Sequence, residues 1–116
     1  MSEPAKAVKF RGTALADFRA FPIDARREAG YQLGKVQYGD DPTDWKPMTT
    51  VGQGVREIRN RDANGAFRVI YVTKLGDAIY VLHCFQKKTQ AATSKSDLDL
   101  ATKRYRDLVK EVEHGR

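Results

Sequence analysis

Three runs rich in apolar, β-branched and aromatic residues follow one another closely: Val55 to Arg61, Ala66 to Thr73 and Ala78 to Phe85. Their length and alternation predict three consecutive strands. Between the first two, Asp62-Ala63-Asn64-Gly65 contains Asn-Gly, a pair that tolerates the positive φ of a tight hairpin; Leu75-Gly76-Asp77 supplies the second reversal. Upstream, Ala7-Val8-Lys9-Phe10 alternates over a short span and predicts a first strand. Thr13 then predicts the cap of a short helix over Ala14 to Ala20, with Leu15 and Phe18 on one face. Pro22, suited to a first helical turn, opens a second helix that runs to about Tyr38. Its apolar stripe is Ala25, Ala29, Leu33 and Val36, and Gly39 takes the C′ role. Gly30 and Gly34 each weaken that helix by roughly 1 kcal/mol against alanine, so close approach to another helix or to the sheet is the expected reason for them. Asp40 to Gly54 shows no period and predicts a long connection. Ser96 with Asp99 predicts a capping box. The last helix follows with Leu98, Ala101, Tyr105, Leu108, Val109 and Val112 on one face, and Lys103, Arg104, Arg106 and Lys110 among acids on the other. The fold class is α+β, in the order β-α-α-β-β-β-α, with a mostly antiparallel sheet and helices expected on one face of it. One domain is expected over residues 6–112, between flexible termini at 1–5 and 113–116.

Composition narrows what such a domain does. Hydrophobic residues make up 41% and charged residues 31% of 116, an ordinary globular balance. The net charge of +6 favours nucleic acid or an acidic protein as partner. No apolar run reaches membrane length and no apolar segment follows the N-terminal residues, so a cytoplasmic protein without a membrane partner is expected. The single cysteine, Cys84, excludes an internal disulfide and a cysteine zinc set, and reads as a small buried hydrophobe. His83 and His114 are the only histidines, and neither stands at ligand spacing from an acid. No metal and no cofactor are therefore expected. A glycine-rich phosphate loop is also lacking, as is a serine or cysteine nucleophile with a base partner.

What remains for chemistry is a set of cations. The period of two along a strand places Glu57, Arg59 and Arg61 on one face, opposite Ile58. Arg68 shares its face with Ile70 and Val72. His83, Phe85 and Lys87 share another, with Tyr80, Leu82 and Cys84 expected on the reverse. Metal-free cleavage of RNA suits this toolkit, because the substrate brings its own nucleophile, the 2′-hydroxyl. The protein must align that group, neutralise the crowded phosphorane and protonate the leaving 5′-oxygen. Arginine suits the second task through its planar fork, and lysine serves in proton transfer when neighbouring cations depress its pKa. In the long connection, Trp45 and Lys46 are suited to stack on a base and to meet a phosphate, unless Trp45 plugs the core edge. His83 reads as an RNA contact on the Lys87 face or as a core histidine.

These residues resemble a known family. Gly54-Val55-Arg56-Glu57-Ile58-Arg59, Phe67-Arg68-Val69-Ile70-Tyr71 and Tyr80 to Thr89, together with Asp44-Trp45-Lys46-Pro47, look like the HigB-like branch of the RelE/ParE toxin superfamily, including its phage-derived members. The resemblance spans about Val8 to Leu108. It implies a small RelE-like fold and the toxin of a type II toxin–antitoxin pair: a metal-independent endoribonuclease that cuts mRNA, in many members only on the ribosome. The implied partners are mRNA and a cognate helix-turn-helix antitoxin, with operator DNA reached only through that antitoxin. By the same resemblance Arg68 stabilises the phosphorane, Glu57 and Arg59 form a working pair, and Lys87 and Lys88 are the basic residues after the last strand. The catalytic set is then Arg68, Lys87, Glu57 and Arg59, with Lys88, Arg61, Lys46, Trp45 and His83 as RNA contacts. The C-terminal tyrosine or histidine of many superfamily nucleases has no clear counterpart here; Tyr105 and His114 match by type alone. Two other classes share the fold: ParE-like gyrase poisons without chemistry, and phage remnants that only bind an antitoxin and aid autoregulation.

Overall fold

Asp62 and Gly65 pair across the tightest turn of the chain, and the sheet grows outward from that hairpin. The structure, a computed structural model, describes residues 5–87 and 92–115. Its elements are β1 (Val8–Phe10), α1 (Ala14–Arg19), α2 (Ile23–Gln37), β2 (Trp45–Pro47), β3 (Val55–Asp62), β4 (Gly65–Val72), β5 (Ile79–Lys87) and α3 (Lys95–His114). The sheet order is β1-β5-β4-β3-β2. Only β1 runs parallel to its neighbour, β5; the other pairings are antiparallel. The fold is thus α+β, as the pattern predicts, with one more strand than expected. β2 lies inside the long connection and pairs with β3 along the edge, where Pro47 costs little because its missing N–H faces no central neighbour.

The predicted placement of all helices on one face does not hold. One hydrophobic cluster joins Ala14, Phe21, Ala25, Ala29, Leu33 and Val36 to Ile58, Phe67, Val69 and Tyr71. A second joins Ala101 and Leu108 of α3 to Val55, Ile70, Val72 and Leu82. Alternate residues of β4 therefore feed opposite layers, so α1 and α2 cover one face while α3 covers the other. A central strand apolar on both faces demands two layers.

Several local expectations are revised. The hairpin turn centres on Ala63 and Asn64, not on Asn-Gly. Among the described residues no non-glycine residue has positive φ, Gly65 takes φ +133°, and Asp62 Oδ1 accepts from the Asn64 N–H at 2.7 Å. α3 starts two residues early. Ser94, not Ser96, is its N-cap, accepting from the Asp97 N–H at 3.2 Å. Two Ser-x-x-Asp spacings overlap in this stretch, and the earlier one also brings Asp97 to the sheet. Thr13 holds the N-cap position of α1, as expected, but its side chain makes no capping bond; its hydroxyl donates to Asp17 and accepts from Arg104. α3 continues through His114, two residues into the tail expected to fray.

The face assignment of β5 also changes. Tyr71 pairs with Val81 but Ile70 pairs with His83, so Leu82 is an extra residue in a bulge. The alternation resets there, and Tyr80 and Leu82 join the α3 side while Cys84 stays on the α1–α2 side. Arg104 of α3 donates to the carbonyl of Leu82 at 3.0 Å, satisfying the bulge. Its guanidinium passes so close to Gly12 (φ +54°) that a Cβ there would stand 2.7 Å from Nε.

Gly34 does not mark a close approach: a Cβ built on it meets nothing within 4 Å, and one on Gly30 meets only Phe18, at 3.8 Å. Gly34→Ala is therefore expected to stabilise the protein by about 0.5–1 kcal/mol, read as a higher midpoint in thermal unfolding. An unchanged or lower midpoint would show that the helix requires glycine there.

Candidate nucleic-acid interface

Cross-strand register determines which side chains meet on the α3 side of the sheet. Lys46, Glu57, Ile70 and His83 form one row across β2, β3, β4 and β5. Arg59, Arg68 and Phe85 form the next, and Arg61, Ala66 and Lys87 the third. The apolar layer under α3 ends around the first row. Beyond it Arg59 and Arg61 are exposed and Lys87 is half-buried. Cations from β2, β3, β4 and β5 thus share one face at the sheet end away from the body of α3. Arg59 and Arg68 stand directly opposite each other, a like-charge pairing that costs stability.

Glu57 compensates part of that charge from below. Its carboxylate is 1% exposed. Oε1 lies 3.5 Å from Arg68 Nε and 3.9 Å from Lys46 Nζ, and Oε2 accepts from the Thr93 hydroxyl at 3.0 Å. Among the described residues Glu57 makes no ion pair with Arg59, the partner its spacing suggested. It sets Arg68 instead. The Arg68 guanidinium, 4% exposed, also donates from Nη1 to the Phe67 carbonyl at 3.1 Å. Burial, reinforced by Arg59 and Arg61 and opposed by Glu57 and Asp44, holds its pKa below the ordinary guanidinium value. The ion pair with Glu57 and this single hydrogen bond leave the outer part of the fork without an intramolecular acceptor among the described residues, a geometry suited to phosphate oxygens. For Lys87, desolvation and then the nearby charge of Arg68 hold the ammonium below the usual lysine range, with Glu57 opposing.

His83 is a buried residue. Its Nε2 lies 2.7 Å from Asp97 Oδ1, and its ring stacks on Phe85 with centroids 5.0 Å apart. That bond pins the first turn of α3 to β5. Trp45 does not join the cluster. Adjacent strand residues face opposite ways, so Lys46 points with Glu57 while Trp45 sits on the α2 side, its ring 4.0 Å from the Arg56 guanidinium carbon. Lys88 lies outside the described residues. Tyr105 packs against the backbone of Gly52 and donates to the Gln53 carbonyl, and His114 ends α3 about 25 Å from Asp97 along the helix. Neither is near the cations. Burial pushes the Cys84 thiol up to about 12, so it is no nucleophile. Among the described residues no group of three or more His, Cys, Asp or Glu could hold a metal ion, and no helix is long and apolar enough to cross a membrane. The sequence reading missed Thr93, which sits in a polar stretch without periodicity, and Asp97, whose signal was the overlapping capping pair.

The domain is α+β, with a buried acid beneath a basic sheet face. The family profile described as Phage derived protein Gp49-like (DUF891) matches residues 16–106, and the chain belongs to that family. No curated protein is significantly similar in sequence.

Proposed function

We propose that this protein is the toxin of a type II toxin–antitoxin pair and cleaves mRNA without a metal, in the manner of the HigB-like branch of the RelE toxins. The observation that carries the reading is the convergence of Lys46, Arg59, Arg61, Arg68 and Lys87 on one sheet face over the buried Glu57. Membership of a phage-derived family supports it. In this mechanism the 2′-hydroxyl attacks the adjacent phosphorus and loses its proton to water. The P–O5′ bond breaks, leaving a 2′,3′-cyclic phosphate and a 5′-hydroxyl. Arg68, aimed by Glu57 and the Phe67 carbonyl, neutralises the phosphorane with help from Arg59. Lys87 protonates the leaving oxygen, and Lys46 and Arg61 hold flanking phosphates. A cognate antitoxin of helix-turn-helix type silences the protein by covering this basic surface.

Induction in a bacterial host with mRNA 5′ ends mapped tests the reading. New cleavage sites that vanish in the Arg68→Lys variant are expected; growth arrest with intact mRNA would move the protein to the gyrase-poison class.

The pKa of Lys87 gives a pH signature. Only the protonated ammonium donates, so cleavage holds below its pKa and falls as pH rises through it, at a lower pH than for an ordinary lysine. Arginine keeps its proton throughout that range. Lys87→Arg is therefore expected to remove the falling limb from a pH–rate profile, and a limb unchanged in this variant would exclude Lys87 as the acid.

A further inference from the structure

Phe85 has no part in the mechanism above, yet it stands directly opposite Arg68 in the β4–β5 register. Its half-buried ring packs on the His83 imidazole, with planes 22° apart. The imidazole is itself held by Asp97 at 2.7 Å, so Phe85 rests on a ring anchored to α3, and it packs against the edge of the apolar layer under that helix. Phe85 lines a cavity of about 620 Å³, walled also by Phe21 and Pro22 after α1 and by Lys87, Ser94 and Asp97. β1 pairs with Ile79 to Val81, and among the described residues the edge of β5 beyond them pairs with no strand.

A fixed aromatic ring beside a guanidinium and an ammonium, at the mouth of an open cavity, matches one unpaired nucleotide. Bases stack on such rings while their phosphates go to the cations, and each base stacked this way contributes substantially to binding. We propose that Phe85 is a base-stacking platform: it receives the base of the nucleotide whose phosphate sits on Arg68 and Lys87, and the base lies in the cavity between β5 and the start of α3. The ligand is thus single-stranded RNA, since a base held in a duplex cannot reach the ring. This rests on the RNA reading of the cation cluster. Stacking uses the π-face that every base has, so Phe85 contributes affinity and strand selection more than base identity.

The test uses a short 2′-O-methyl oligonucleotide, which cannot be cleaved, carrying one 2-aminopurine, with the wild-type protein, Phe85→Leu and Phe85→Trp. Phe85→Leu is expected to bind about 5- to 100-fold more weakly and to leave the bound fluorophore brighter than the wild type does. Phe85→Trp is expected to keep both affinity and quenching. Its salt dependence should match that of the wild type, whereas Lys87→Ala should flatten the slope. A duplex of the same sequence should not compete with the single strand. Phe85→Leu binding and quenching like the wild type, or a duplex competing equally, would overturn the proposal. Binding and quenching by a wild type that cleaves nothing would remove the nuclease reading and keep the platform. Cleavage by the wild type with unaltered binding in Phe85→Leu would do the reverse, and a wild type that binds no oligonucleotide removes both.

Discussion

Replacing Arg68 with lysine is expected to slow RNA cleavage about 10²- to 10³-fold while the protein stays folded. The expectation follows from how the side chain is held. Nε faces Glu57 and Nη1 donates to the Phe67 carbonyl, so two groups fix the plane of the guanidinium. An ammonium in its place keeps the charge that Glu57 requires, which preserves the fold. It has no plane, however, and cannot present paired donors to two phosphate oxygens. The loss should fall on the chemical step, with binding of an uncleavable oligonucleotide little changed. Single-turnover cleavage beside circular dichroism separates these effects. A lysine variant that cleaves at the wild-type rate would show that charge alone does the work and that the fork is incidental.

Glu57→Gln is expected to cost about 3–5 kcal/mol of unfolding free energy, the usual penalty for removing one partner of a buried pair. Thr93 can still donate to an amide oxygen in the variant, but Arg68, 4% exposed, then lacks its anion while Arg59 stands directly opposite. Lys46 loses the same partner. The damage is surplus positive charge, so added salt should recover part of it, and a bound polyanion more. Urea unfolding at low and high salt, with and without an oligonucleotide, reads all of this. A loss below about 1 kcal/mol would mean that water reaches the pair and that Glu57 is an ordinary surface partner.

The parts of the fold that could be read from the chain are those whose pattern repeats. β3 to β5 announce themselves by β-branched runs between turn residues. Their period of two placed Glu57, Arg59 and Arg61 together, and likewise Phe85 with Lys87, as the register confirms. What escaped was what periodicity cannot carry. β2 has three residues, one of them Pro47, too few to alternate. Trp45 and Lys46 were read as a unit, though neighbours on a strand face opposite sides. The bulge at Leu82 leaves no mark in composition, so Tyr80 and Leu82 were assigned to the wrong side. The second helical layer was visible in hindsight: Ile70 and Val72 on one side of β4 and Val69 and Tyr71 on the other both need cover, and α3 offered the only remaining apolar stripe. The burial of Glu57 depends on Thr93, 36 residues away, a contact that no local pattern announces.

The pairing of Val8 with Ile79 has a consequence for biosynthesis. β1, a parallel edge strand, has nothing to dock on until residues 79 to 81 have been made and have left the ribosome. α1 and α2 wait with it, because the apolar surface they cover comes from strands that follow them in the sequence. The stretch from α1 to α2 is therefore amphipathic helix without a sheet to rest on when it emerges, and the basic face forms only after β5 has been made, in one long-range step of the kind that makes folding slow.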